Sequence, residues 1–213
     1  MKKVKRICLS FVLFLYILPA MSQKVASPAE QLSMIEAIDK VASETKSIQC
    51  TFRQVKTLSI LNEELVSTGI MLYSQPVRLR WQYQHPYTYT FIINGSQAMM
   101  KNPDQQHVID TRQSKLLSEI TQIMVNSVTG KCLTEKSDFN ITMSSDEKEW
   151  IADLRPVKKE LKAMFNVIKL HIDSKKCIIT QVELIEKTGD QTRIYLSDYK
   201  VNVDIDEKMF RVD

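Results

Sequence analysis

The chain has 213 residues with 29 Lys and Arg against 25 Asp and Glu, a formal charge of +4. Four of the basic residues, Lys2, Lys3, Lys5 and Arg6, fall in the first 22 positions, which hold no acidic side chain, so the remainder carries 25 of each sign and no net charge. A neutral domain gives no ground for a nucleic-acid partner or an acidic surface.

Behind Arg6 an apolar run from Ile7 to Leu18 leads to the small residues Ala20 and Ser22, the order of a secretory signal peptide. The run is well short of the roughly 20 residues that span a bilayer, and no second one follows. Cleavage after Ser22 would discard residues 1–22 with Cys8. A lipoprotein's cysteine would stand just after the apolar run, whereas Cys8 stands at its start, so residues 23–213 are expected to form one unlipidated, unanchored domain outside the cytoplasmic membrane. Cys50, Cys132 and Cys177 remain in a compartment that permits disulfides. Their odd number leaves at least one unpaired, and their spacing matches no zinc motif. Small buried hydrophobes is the plainer reading of all three, with one bridge left open.

Ser27-Pro28-Ala29-Glu30 then reads as a helix start, with Ser27 as cap, Pro28 at the first turn and Glu30 closing a capping box. Leu32, Ile35, Ile38, Val41 and Ala42 recur at helical spacing, which predicts a helix from Pro28 to Thr45. The period next falls to two, giving strands from Ile48 to Leu58, Val66 to Tyr73 and Val77 to Gln84. In the third, Val77, Leu79, Trp81 and Tyr83 share one face and Arg78, Arg80 and Gln82 the other, so one face is expected apolar and the other wet. A strand from Tyr87 to Ile93 turns at Asn94-Gly95 and returns from Gln97 to Lys101. Gly69 lies inside a strand pattern, where a bulge is the usual reason.

Helical spacing resumes from Ser114 to Thr129, with Leu116, Leu117, Ile120, Ile123, Met124 and Val128 as an apolar stripe and Gly130 as the stop. Strands are expected at Phe139–Met143, Glu149–Pro156, Phe165–Asp173, Ile178–Glu186, Gln191–Lys200 and Phe210–Val212. The stretch Pro156–Met164 reads as a short helix or a charged loop. These strands with two substantial helices predict a mostly β, α+β domain: one large curved antiparallel sheet whose apolar concave face lies open unless the helices cover it.

No catalytic constellation is present. His85, His107 and His171 have no metal-ligand spacing, and the chain lacks GxSxG, HExxH and a phosphate-cradling glycine loop. Neither enzyme activity, metal nor cofactor is expected. What stands out is apolar: Trp81 and Tyr83 on one strand, Tyr87, Tyr89, Phe91 and Ile93 on the next, and an amphipathic helix set among strands. These pack a filled core or line a cavity that can open, and periodicity does not separate the two.

The stretch from Tyr73 through Gln75-Pro76 and Trp81 to His85-Pro86, followed by Ile92-Ile93-Asn94-Gly95, resembles the LolA family of periplasmic outer-membrane lipoprotein carriers. Phe52-Arg53-Gln54, Leu154-Arg155-Pro156, Thr192-Arg193-Ile194-Tyr195-Leu196, Val201-Asn202 and Phe210 agree in order with further family positions, over about Pro28 to Asp213. The resemblance implies an unclosed antiparallel barrel with a helical lid, enclosing a hydrophobic cavity for lipoprotein acyl chains. It implies a monomeric carrier in the periplasm, receiving lipoproteins from an inner-membrane lipoprotein-releasing transporter and passing them to an outer-membrane acceptor. Val77, Leu79, Trp81, Tyr83, Tyr89, Phe91 and Ile93 would form the cavity wall; Leu32, Ile35 and Ile38, with Leu116, Ile120, Ile123 and Met124, the lid. Leu79→Glu should then abolish binding with the fold intact. The arginine that latches the lid in enterobacterial relatives is replaced by Gln75, which implies a weaker latch. A paralogous carrier of another lipid or glycolipid, and a lipid-sensing regulator of the same fold, are the alternatives; such a regulator would be expected to carry an added partner-binding domain.

Overall fold

The computed structural model describes residues 24–212 apart from 62, 114, 135–137 and 147, and of residues 115–117, 119 and 120 only the backbone. The segment expected to be a signal peptide, with Cys8, lies outside the described residues, as do the side chains of Leu116 and Ile120. The elements are β1 (Lys24–Val25), α1 (Pro28–Glu44), β2 (Ser47–Leu58), β3 (Glu63–Ser74), β4 (Arg78–His85), β5 (Tyr89–Asn94), β6 (Gln97–Lys101) and β7 (Gln106–Asp110). They continue with α2 (Lys115–Thr129), β8 (Phe139–Ser145), β9 (Glu149–Pro156), α3 (Lys159–Met164), β10 (Phe165–Asp173), β11 (Ile178–Glu186) and β12 (Gln191–Val201).

All the described strands join one antiparallel sheet of twelve, in the order β1-β8-β9-β10-β11-β12-β2-β3-β4-β5-β6-β7. Its two edges, β1 and β7, do not pair with each other, so the sheet curves without closing. Two meanders, β2–β7 and β8–β12, meet where β12 lies beside β2, with Tyr195 opposite Arg53. The capping box forms as the sequence predicts: Glu30 Oε2 accepts from the Ser27 backbone N–H at 2.7 Å and Ser27 Oγ from that of Glu30 at 3.4 Å.

The inner face carries the main core, in which Phe52, Met71, Tyr73, Leu79, Trp81 and Ile93 meet Leu154, Ile168 and Leu170 from the other meander. Cys50 and Cys132 are buried and Cys177 half-buried, and all three are unbridged. Burial pushes the Cys50 thiol up to about 12, which keeps it protonated.

Gly69 is the position that lets the aromatics converge. The β3–β4 register shifts between Thr68 and Gly69, so the strand does hold an irregularity there. A Cβ on Gly69 would stand 1.9 Å from the Gln82 carbonyl oxygen and 2.7 Å from the Phe52 ring. Phe52 therefore crosses β3 over a bare backbone to stack on Trp81, centroids 4.4 Å apart, and to meet Tyr83 edge-on at 5.1 Å. Gly69→Ala is expected to lower the unfolding free energy by about 3 kcal/mol, because the backbone oxygen cannot yield as a side chain would. Urea unfolding measures it, and wild-type stability would mean that the strands have room the geometry does not provide.

Four expectations need correcting. The end at Phe210–Val212 is no strand: Glu207–Phe210 forms a 3₁₀ turn, capped by Asp206, whose Oδ1 accepts from the Lys208 N–H at 2.9 Å. It lays Phe210 on the outer face against Leu72, Ile92 and Met99, with the Arg78 guanidinium 5.6 Å from the ring centroid. The outer face of β4 is thus covered here, not simply wet. Tyr87 precedes β5 and is 80% exposed, outside the apolar face assigned to it. The strand count rises because β1 has two residues, too few for a period, and β7 is a polar edge strand with Val108 half-exposed.

Candidate functional site

Cross-strand pairing sets the aromatic wall. Leu79 stands opposite Ile93, Trp81 opposite Phe91 and Tyr83 opposite Tyr89, all on the inner face of β4 and β5. Over this wall lies α2, and two cavities remain beneath it. One, about 260 Å³, is bounded by Gln54, Trp81 and Tyr83 on one side, Ile123, Met124 and Val128 of α2 above, and Val182, Leu184 and Ile194 on the far meander. The other, about 280 Å³, runs from Trp81, Tyr83, Tyr89 and Phe91 to Met100, Ile109 and Thr121. Trp81, Tyr83 and Met124 line both. Each falls just under the roughly 300–1,000 Å³ of pockets that bury a drug-sized ligand. Met124 is the shared partition, and methionine is the side chain that most easily changes shape to merge two such spaces.

The wall has one polar corner. Tyr83 donates its hydroxyl proton to Gln54 Oε1 at 2.9 Å, and burial pushes its phenol above the usual range. Trp81 is 5% exposed, and its indole Nε1 lies beside that hydroxyl oxygen but completes no well-formed hydrogen bond within the protein. A buried donor left unpaired costs about 1–3 kcal/mol.

The residues singled out from sequence divide by depth. Trp81, Tyr83, Tyr89, Phe91, Ile123 and Met124 border the cavities. Leu79 and Ile93 share their face but are wholly buried in packed core, and Val77 is packed against that core, away from either cavity. In α1, Ile38 is buried and Ile35 packs on the core, while Leu32, 53% exposed, faces solvent. The helix packs on β8, β11 and the Lys131–Leu133 turn, so it braces the end of α2 and does not roof the aromatic wall. Gly130 makes that contact close: it ends α2 at φ 81°, and a Cβ there would come within 2.8 Å of Ile38 Cγ2.

Gln75 sits in the turn between β3 and β4 and donates from Nε2 to the Thr45 carbonyl at 2.9 Å, at the C-cap of α1. Arg78 is directed elsewhere, to Glu207, Ser74 Oγ and the Gln75 carbonyl, as its parity requires. Sequence reasoning missed Gln54, Met164, Val182, Leu184 and Ile194. The alternation within β11 and β12 was the available signal for the last three, since Val182 pairs with Ile194 and Leu184 with Thr192.

A larger depression of about 680 Å³ lies on the outer face, among Arg80, Gln82, Thr90, Lys101, Lys208 and Arg211. Its polar walls are unlike the apolar chambers under α2. Among the described residues no group of three or more His, Cys, Asp and Glu could hold a metal ion, and no helix is long and apolar enough to cross a membrane.

Known proteins are similar to this one in sequence and in fold. The chain is 22% identical, over 93% of its length and 91% of the relative's, to an outer-membrane lipoprotein carrier protein of Methylococcus capsulatus. It is 26% identical to a protein of the same name from Legionella pneumophila, over 93% of each chain. Among solved structures, the Pseudomonas aeruginosa MucA/MucB complex matches with a TM-score of 0.50 at 11% identity, covering 85% of this chain and 61% of that one, a likeness of fold. Residues 43–213, most of the chain and both meanders, match the family model described as outer membrane lipoprotein carrier protein LolA, and the protein belongs to that family.

Proposed function

We propose that the protein is a non-enzymatic periplasmic carrier, exported by the signal peptide in residues 1–22, that shelters lipoprotein acyl chains beneath α2 and takes them from an inner-membrane releasing transporter to an outer-membrane acceptor. The observation that carries this reading is the pair of apolar chambers sharing Trp81, Tyr83 and Met124. An acyl chain free in water costs about 0.8 kcal/mol per methylene, so a carrier must offer a continuous apolar wall. It must also release its cargo, and a helix resting on the chambers can lift when chains enter and settle when they leave. The names of the curated relatives favour lipoproteins over other lipids as cargo. Mass spectrometry of protein isolated gently from the periplasm tests this: acylated lipoprotein should co-purify, and recovery of neither lipoprotein nor lipid would defeat the carrier reading. Recovery of a glycolipid alone would make it a paralogous carrier.

In this reading Gln75 is a latch, neutral where enterobacterial relatives carry a charge. An arginine would meet the same Thr45 carbonyl at the negative end of α1 with a charge-assisted bond about twice as strong. Gln75→Arg is therefore expected to slow cargo transfer to acceptor vesicles several-fold with uptake retained. An unchanged transfer rate would remove Gln75 from the release step.

A further inference from the structure

Trp81 combines three properties: it is almost wholly buried, it lines both chambers, and its indole N–H completes no well-formed hydrogen bond within the protein. Its ring is held by the stack on Phe52 and by its neighbours Met71 and Phe91 in the flanking strands. The donor is thus fixed in the sheet and stays in place whatever α2 does. The Tyr83 hydroxyl gives its proton to Gln54, and its oxygen lies beside the indole nitrogen without completing a well-formed hydrogen bond, so the corner offers a ligand a donor that the protein holds only weakly.

Hydrocarbon cannot relieve a desolvated N–H, and a ligand with a carbonyl oxygen at that depth can. We infer that Trp81 is a specificity-determining residue that donates its indole N–H to the carbonyl of an acyl linkage, so that the cavity selects acyl-linked lipids over ether-linked ones with the same chains. This rests on the acyl-chain carrier reading and adds to it a recognised functional group. Length and greasiness of the chains supply affinity; the carbonyl supplies discrimination and a fixed depth of insertion.

The test presents lipid-free protein with vesicles holding equal amounts of dipalmitoyl glycerol and its dihexadecyl ether counterpart, then measures by mass spectrometry the ratio recovered on the protein. Wild type should be enriched about tenfold in the ester, the difference one good hydrogen bond supports. Trp81→Phe keeps a large ring and removes the donor, so its ratio should fall to about one. Should that variant fold poorly, the wild-type indole resonances decide: the chain has two tryptophans, Trp81 and Trp150, and Trp150→Phe assigns them. The Trp81 N–H should move downfield with the ester and not with the ether. A wild-type ratio near one, a preference kept by Trp81→Phe, or an indole shift identical with both lipids would overturn the inference. Those outcomes leave the carrier reading standing, whereas failure to recover either lipid would bring down both.

Discussion

Leu79→Glu is expected to leave the domain unfolded, not merely emptied of ligand. Leu79 has no exposed surface and stands near the start of β4 between Tyr73 on β3 and Ile93 on β5, both buried with it. Deleting such a side chain costs about 2–5 kcal/mol through the lost transfer energy and the cavity left behind. A carboxylate there has no partner, so it must also stay protonated or pull water into the core. Against a total stability of about 5–15 kcal/mol, the two penalties together are enough. The wall position read from the sequence, with an intact fold after substitution, gives way to this burial. Circular dichroism melting decides: Leu79→Ala should melt cooperatively at a lower temperature and Leu79→Glu show no transition. A Leu79→Glu melt within a few degrees of wild type would mean that the β4 core is far looser than its packing.

Parity along β4 and β5 told which residues face inward, because one apolar face leaves no choice of side. It could not tell which of them lie under the roof. Leu79 and Trp81 are two residues apart on one face, yet one is in solid core and the other borders two chambers. The difference arises from where α2 crosses the sheet, which is a long-range contact. Gln54 was hidden for a related reason, since a polar residue on an apolar face looks like a lapse in the pattern until Tyr83 is found bonded to it. The α1 helix was plain from Ser27, Pro28 and Glu30, but its role was not. Its stripe is as apolar as that of a lid, and only packing shows Ile38 wedged against Gly130 at the end of α2 while Leu32 faces water.

That division makes α2 the element to perturb, and Met124→Glu is the second decisive substitution. Met124 is half-buried and borders both chambers, so its loss removes a partition and little solid core. The glutamate can remain hydrated at the cavity border, and the expected loss of stability is about 1–2 kcal/mol. Binding is another matter. Acyl chains cannot displace water from an unpaired carboxylate at the junction of the chambers, and denying contact to three or four methylenes costs about 3 kcal/mol, roughly a hundredfold in affinity. Met124→Leu, which keeps the apolar junction, should bind nearly as wild type. The comparison is read from the lipid or lipoprotein recovered with each protein, alongside its melting curve. A folded Met124→Glu protein that still recovers wild-type amounts would mean that the acyl chains lie somewhere other than beneath α2.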